Sequence, residues 1–119
     1  MINNELYGDF KSEIIDKANK VARLTFIGYF NNECAAKFFT GYTEAKRLCS
    51  GGTLQIEAIE LKPFPQEALD AAGQIYRDYV ADFSKIEFVL PKNIVAKKQT
   101  QRILKDNKIE DKFKILAKF

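Results

Sequence analysis

Apolar and polar positions along the chain alternate, then change period, in a regular succession. From Phe10 an imperfect alternation sets Phe10, Ser12 and Ile14 against Lys11, Glu13 and Ile15, and a clearer strand-like run follows, Val21 to Tyr29. The polar stretch Asp16-Lys17-Ala18-Asn19-Lys20 between them reads as a hairpin connection, so two antiparallel strands open the fold. The period then lengthens. Ala35, Phe38, Tyr42, Ala45 and Cys49 recur at three- and four-residue steps, with Lys37, Thr40, Glu44 and Arg47 between them, which predicts an amphipathic helix from Glu33 to Cys49. Asn31 or Asn32 suits its cap, because an Asn side chain accepts from an otherwise unpaired N–H two or three residues on, and Glu33 complements the positive helix start. Ser50-Gly51-Gly52 ends it, since glycine tolerates the left-handed conformation in which helices stop.

The rest of the chain is organised around Thr53 to Phe83. Thr53 to Ile59 reads as a buried central strand that runs through Leu61-Lys62-Pro63-Phe64-Pro65 into a helix starting near Gln66. Each proline biases its predecessor away from helix, and Pro65 itself suits a first helical position. Leu69, Ala72, Tyr76, Tyr79 and Phe83 form the buried side of this second helix, ending near Asp82, and Gly73 inside it would let the helix sit close to the sheet. Ile86 to Leu90 is a short strand closed by Pro91. A third helix spans Asn93 to Asn107, with Ala96, Thr100, Ile103 and Leu104 inward, and a last strand lies within Lys112 to Phe119. The order β-β-α-β-α-β-α-β predicts an α/β fold with a mixed, mostly parallel sheet and helices packed on it. One domain over residues 9–119 is expected, after a flexible N-terminus of residues 1–8.

Composition narrows the chemistry. At 119 residues, 46% apolar and 13% aromatic, the chain can bury one core. Histidine is absent, which removes His-based triads, imidazole bases and His metal ligands. Cys34 and Cys49, about 22 Å apart if both lie on one helix, cannot bridge within it, and each reads as a small core residue. No apolar run approaches the ~20 residues needed to cross a bilayer, and Met1 to Glu5 lacks a secretory pattern, so a soluble, cytoplasmic protein is expected. Charge is uneven: nine basic residues against three acidic from Lys92 onward make +6, whereas ten against thirteen before it make −3.

The succession resembles the STAS domain family, the fold of bacterial anti-sigma-factor antagonists and of sulfate-transporter tails, over roughly residues 10–119. Val21 to Phe30 is similar to the family's second strand, which ends in Gly before a polar turn and helix. Thr53 to Ile59 with the helix at Pro65 is similar to its central strand and switch helix. Arg102 to Phe113 is similar to its late helix, the turn after it and the phenylalanine opening the last strand. The resemblance implies a STAS-like fold and a regulatory role through protein–protein contact. One departure carries weight: regulated members present Asp-Ser-Ser-Gly or similar at the switch-helix start, where a kinase partner phosphorylates serine, and this chain has Phe64-Pro65-Gln66-Glu67. A phosphoryl acceptor must present a hydroxyl, so Gln66 and Glu67 cannot serve.

The expected function is therefore a non-catalytic interaction or regulatory module, with no cofactor and no metal. Candidate partner-binding residues are Phe64, Pro65, Gln66 and Glu67, joined by Tyr29 and Phe30 at the end of the second strand. Phe64 either plugs the core from above or projects as a hydrophobic anchor. An alternative is nucleic-acid or polyanion binding through Lys97, Lys98, Arg102 and Lys105 on the third helix, although no aromatic residue interleaves these charges to stack on bases. A small-ligand carrier is a further alternative. The carboxylates Glu57 with Glu60, and Glu110 with Asp111, stand without a phosphate loop or metal-ligand spacing, so an enzyme is not expected. A protein partner, no membrane contact, and a monomer or weak homodimer complete the expectation.

Overall fold

In the computed structural model, which describes residues 7–116, the early alternation becomes an antiparallel pair, β1 (Gly8–Asp16) and β2 (Val21–Gly28), with Phe10 opposite Phe26. Three β-α crossovers follow: α1 (Asn32–Cys49) leads to β3 (Thr53–Leu61), α2 (Leu69–Asp82) to β4 (Lys85–Val89), and α3 (Ile94–Asp106) to β5 (Phe113–Leu116). Strands lie in sequence order, β1-β2-β3-β4-β5, and β2 to β5 are mutually parallel. Because each parallel strand is added on the same side of the last, right-handed crossovers place all three helices on one face. Burial agrees. Ala22, Leu24, Leu54, Ile56, Ile86, Phe88 and Phe113 share a core cluster with Phe38 of α1, Tyr76 of α2 and Leu104 of α3, while the alternate residues Arg23, Thr25, Gln55 and Glu57 are only half-buried. Each fully buried large side chain, such as Phe88, contributes about 1.5–3 kcal/mol.

Local chemistry sets the boundaries. Asn31 and Asn93 cap α1 and α3, their side chains accepting from the amides of Cys34 (2.9 Å) and Ala96 (3.0 Å). β3 continues two residues beyond the expected Ile59, as the Lys62 amide still donates to the Gly28 carbonyl at 2.8 Å. Pro63, with no N–H, ends the ladder. Pro65 is extended (ψ 153°) and precedes a 3₁₀ turn, Gln66–Ala68, instead of occupying the first helical position; its carbonyl accepts from Ala68. Gly73 does not bring α2 towards the sheet. A Cβ there would meet the Asn107 side chain at 2.9 Å, so its role is close contact with the end of α3, while Ala72 and Tyr76 carry the sheet contact.

β1 begins at Gly8, within the stretch expected to be flexible, and the Tyr7 carbonyl accepts from the Tyr29 amide at 2.9 Å. Gly28 beside it has φ +72°, and a Cβ there would lie 2.2 Å from the Tyr7 oxygen, so only glycine closes β2 against β1. The expected fraying of residues 1–6 and the last residues of the final strand, 117–119, lie outside the described residues. Among the described residues no helix is long and apolar enough to cross a membrane.

Candidate functional site

The carboxyl ends of parallel strands gather the loops that precede the helices, and in open α/β sheets ligands bind outside these ends where the strand order reverses. This sheet runs in sequence order without a reversal, so the edge is a candidate on its side chains alone. Here β2 delivers Tyr29 and Phe30, β3 delivers Lys62 to Glu67, and β4 delivers Leu90 to Asn93. β3 is the middle strand of five, so its loop stands at the centre of that edge.

Phe64 is half-buried and turns inward. Its ring meets Phe30 edge-on at 6.1 Å between centroids, and Phe30 in turn packs on Phe26 (5.9 Å) and Phe38 (5.9 Å). The rings cover a crevice of about 20 Å³ floored by Tyr76 and Tyr79. Tyr29 is also half-buried, its carbonyl accepting from the Cys34 thiol at 3.5 Å. Phe30 and Phe64 thus form one aromatic lid over the core. The main chain of Phe64 is held from α3: its N–H donates to Gln99 Oε1 at 2.8 Å, and Gln99 Nε2 donates to its carbonyl at 3.0 Å. A side-chain amide here does what a neighbouring strand would do, satisfying both main-chain groups of a loop residue.

Pro65, Gln66 and Glu67 are exposed. Gln66 and Glu67 form one wall of a cleft of about 640 Å³ whose other wall is α3, with Gln99, Arg102 and Asp106. Asp70 and Arg77 of α2 complete its charge. Two residue sets that look unrelated in the sequence, the switch-helix start and the basic helix, therefore meet across one opening. Of the basic set, Arg102 lies in the cleft and pairs with Asp106 (Nε to Oδ2, 3.7 Å), Lys97 is half-buried, and Lys98 and Lys105 stand exposed on the outer side of α3.

Sequence reasoning missed two features of this edge. Ile94 and Val95, 68% and 57% exposed on the first turn of α3, are apolar side chains without cover. A signal existed, since both stand off the inward stripe of Ala96, Thr100 and Ile103. Gln99 had no such signal, because its partner is 35 residues away and nothing local marks a glutamine as a clamp.

Both thiols are shut away from solvent, Cys34 lying beneath Tyr29 at this edge and Cys49 at the far end of α1. Cys34 and Cys49 are buried, and burial pushes both thiols above their ordinary pKa, away from the nucleophilic thiolate. Among the described residues no group of three or more Cys, Asp or Glu could hold a metal ion. Comparison with protein-family models, with curated proteins and with solved structures returns no match for this chain.

Proposed function

We propose that this chain is a non-catalytic regulatory module of STAS-like architecture that engages a protein partner through the carboxyl edge of its sheet, and that it is not switched by phosphorylation there. The observation that carries the reading is the cleft in which exposed Gln66 and Glu67 face Arg102 and Asp106, beside a loop that Gln99 holds in place. A pre-positioned loop loses little freedom on binding, which favours recognition. A lining of three carboxylates, two guanidinium groups and several side-chain amides suits the polar rim of a protein interface better than an apolar small molecule. Ile94 and Val95 at the same edge supply uncovered apolar anchors. Residues 64–67 contain no hydroxyl or thiol, and the chain has no histidine, which supports a binding role over catalysis and over phosphoryl transfer to this loop.

Polyanion binding through Lys97, Lys98, Arg102 and Lys105 ranks behind this reading, because no aromatic residue on α3 interleaves these charges to stack on bases. A photo-crosslinking residue placed at Gln66, and at Glu44 on the outer side of α1 as a control, tests the proposal in cells that naturally make the protein. A discrete protein adduct at position 66 that is absent at 44 and is lost in Glu67→Lys is the expected result. Adducts common to both positions, or none at 66, would reject the edge as the contact surface.

A further inference from the structure

All three helices cover one face of the sheet, and among the described residues no helix covers the other, where Val89 is buried, Arg23, Gln55 and Glu87 are half-buried and Glu13 and Lys114 are exposed. A parallel sheet such as β2 to β5 is usually covered on both sides. The register aligns one side chain from each strand of the open face in a single row: Glu13, Arg23, Gln55, Glu87 and Lys114. From β1 to β5 the row runs negative, positive, neutral, negative, positive. It is therefore antisymmetric in charge about β3. A two-fold axis lying between two such sheets and running along β3 sets β1 over β5 and β2 over β4. Glu13 then faces Lys114 and Arg23 faces Glu87. Within each copy Arg23 already donates to Gln55 Oε1, Gln55 Nε2 to Glu87 Oε1, and Lys85 pairs with Glu87, so the exposed Glu13 and Lys114 carry most of the charge selection. The other in-plane axis, across the strands, lays each strand over itself and stacks Glu13 on Glu13 and Arg23 on Arg23, so charge selects the first arrangement.

We propose that a second copy of this chain covers the open face, in a sheet-on-sheet dimer whose strands run parallel within about 30°. Val21, Ile27 and Ile59, half-buried on the same face, provide apolar filling between the layers. Five strands about 4.8 Å apart and five or six residues at ~3.3 Å each give a planar face of roughly 400 Å² per copy. Over both copies that is roughly 800 Å², below the ~1,200 Å² at which stable specific interfaces begin, so the dimer is weak and concentration-dependent. Glu57 in the next row meets its own copy on the axis, a like-charge contact that limits affinity and that Glu57→Gln should relieve. Because this face lies opposite the helices, the proposal is independent of the partner reading for the sheet edge.

Sedimentation equilibrium of the full chain, from micromolar to millimolar concentration, provides the test. The mass is expected to rise from 13.6 kDa towards twice that value. Glu13→Lys sets two lysines face to face, and since each contact occurs twice across the axis, the dimer should weaken by about tenfold or more. Lys114→Glu should act alike, and the double variant Glu13→Lys/Lys114→Glu should regain wild-type association with the pair rebuilt in reverse. Both positions are exposed, so circular dichroism should report an unchanged monomer fold. A single 13.6 kDa species at every concentration, a dimer indifferent to Glu13→Lys, or a double variant as weak as the singles would each overturn the proposal.

Discussion

Tyr42 and Tyr79 lie ring to ring, 5.4 Å between centroids, yet their hydroxyls differ sharply in circumstance. Tyr42 donates to Asp82 Oδ2 at 2.6 Å, and Lys46 Nζ approaches the other oxygen of that carboxylate at 3.5 Å. Tyr79 is fully buried, and its hydroxyl has no hydrogen-bond partner among the described residues. Bonds to charged acceptors stabilise, whereas a buried hydroxyl left unbonded costs about 1–3 kcal/mol. Tyr42→Phe is therefore expected to lower stability by about 1–2 kcal/mol, while Tyr79→Phe should be neutral or stabilising by up to ~1 kcal/mol. Urea denaturation of the pair decides this, and equal losses in both variants would contradict it. Their titration follows the same logic. Burial, and then the bond to Asp82, raises the Tyr42 pKa, and burial pushes Tyr76 up to about 12 and Tyr79 upward as well. The native state keeps these protons where the unfolded chain releases them. Their contribution is complete below an unfolded value of about 10 and is lost as pH rises through the native values, so stability should fall steeply above about pH 10 and less steeply in Tyr42→Phe.

At the sheet edge one side chain ties α3 to the loop after β3. Gln99 is the hydrogen-bonded link between α3 and the Pro63-Phe64-Pro65 loop, and its two bonds satisfy the main chain of Phe64. Gln99→Ala should cost about 1–2 kcal/mol in global stability. Its specific mark is local: amide exchange at Phe64 should accelerate well beyond what that loss produces in β3. Gln99→Glu keeps an acceptor for the Phe64 N–H but loses the donor to its carbonyl, so it should retain part of the protection. If Phe64 exchanges in Gln99→Ala as it does in wild type, the clamp does not hold the loop in solution.

Across the molecule a single core joins every layer. Phe10 and Phe38 at one end connect through Tyr42, Tyr79 and Tyr76 to Phe88 and Phe113 at the other, in an unbroken series of ring contacts. The Cα radius of gyration, 13.6 Å, matches the ~13.5 Å of one domain of this length. Nothing in this packing separates β1–β2–α1 from the remainder, so unfolding should be all-or-none. Far-ultraviolet ellipticity and near-ultraviolet tyrosine signals are expected to trace one urea transition. A biphasic curve, or midpoints that differ between the probes, would show that the aromatic series does not unify the fold.

The order and kind of the elements were legible in the sequence because they rest on local physics. A period of two or of 3.6, the capping asparagines Asn31 and Asn93, and the stop at Ser50-Gly51-Gly52 each act within a few residues of themselves. Inward positions such as Leu24, Ile56, Phe88 and Leu104 follow from the same periods. The absence of a phosphoryl acceptor at residues 64–67 was equally plain. Only the tertiary structure decided that Phe30 and Phe64 close over the core together, that Gln99 reaches back 35 residues, that Gly73 serves α3, and that Gln66 and Arg102 share a cleft. It also decided that, among the described residues, all three helices lie on one face of the sheet and none on the other. Alternation tells which side chains share a face, but what lies over that face depends on strand order and crossover direction, which arise from contacts between distant parts of the chain.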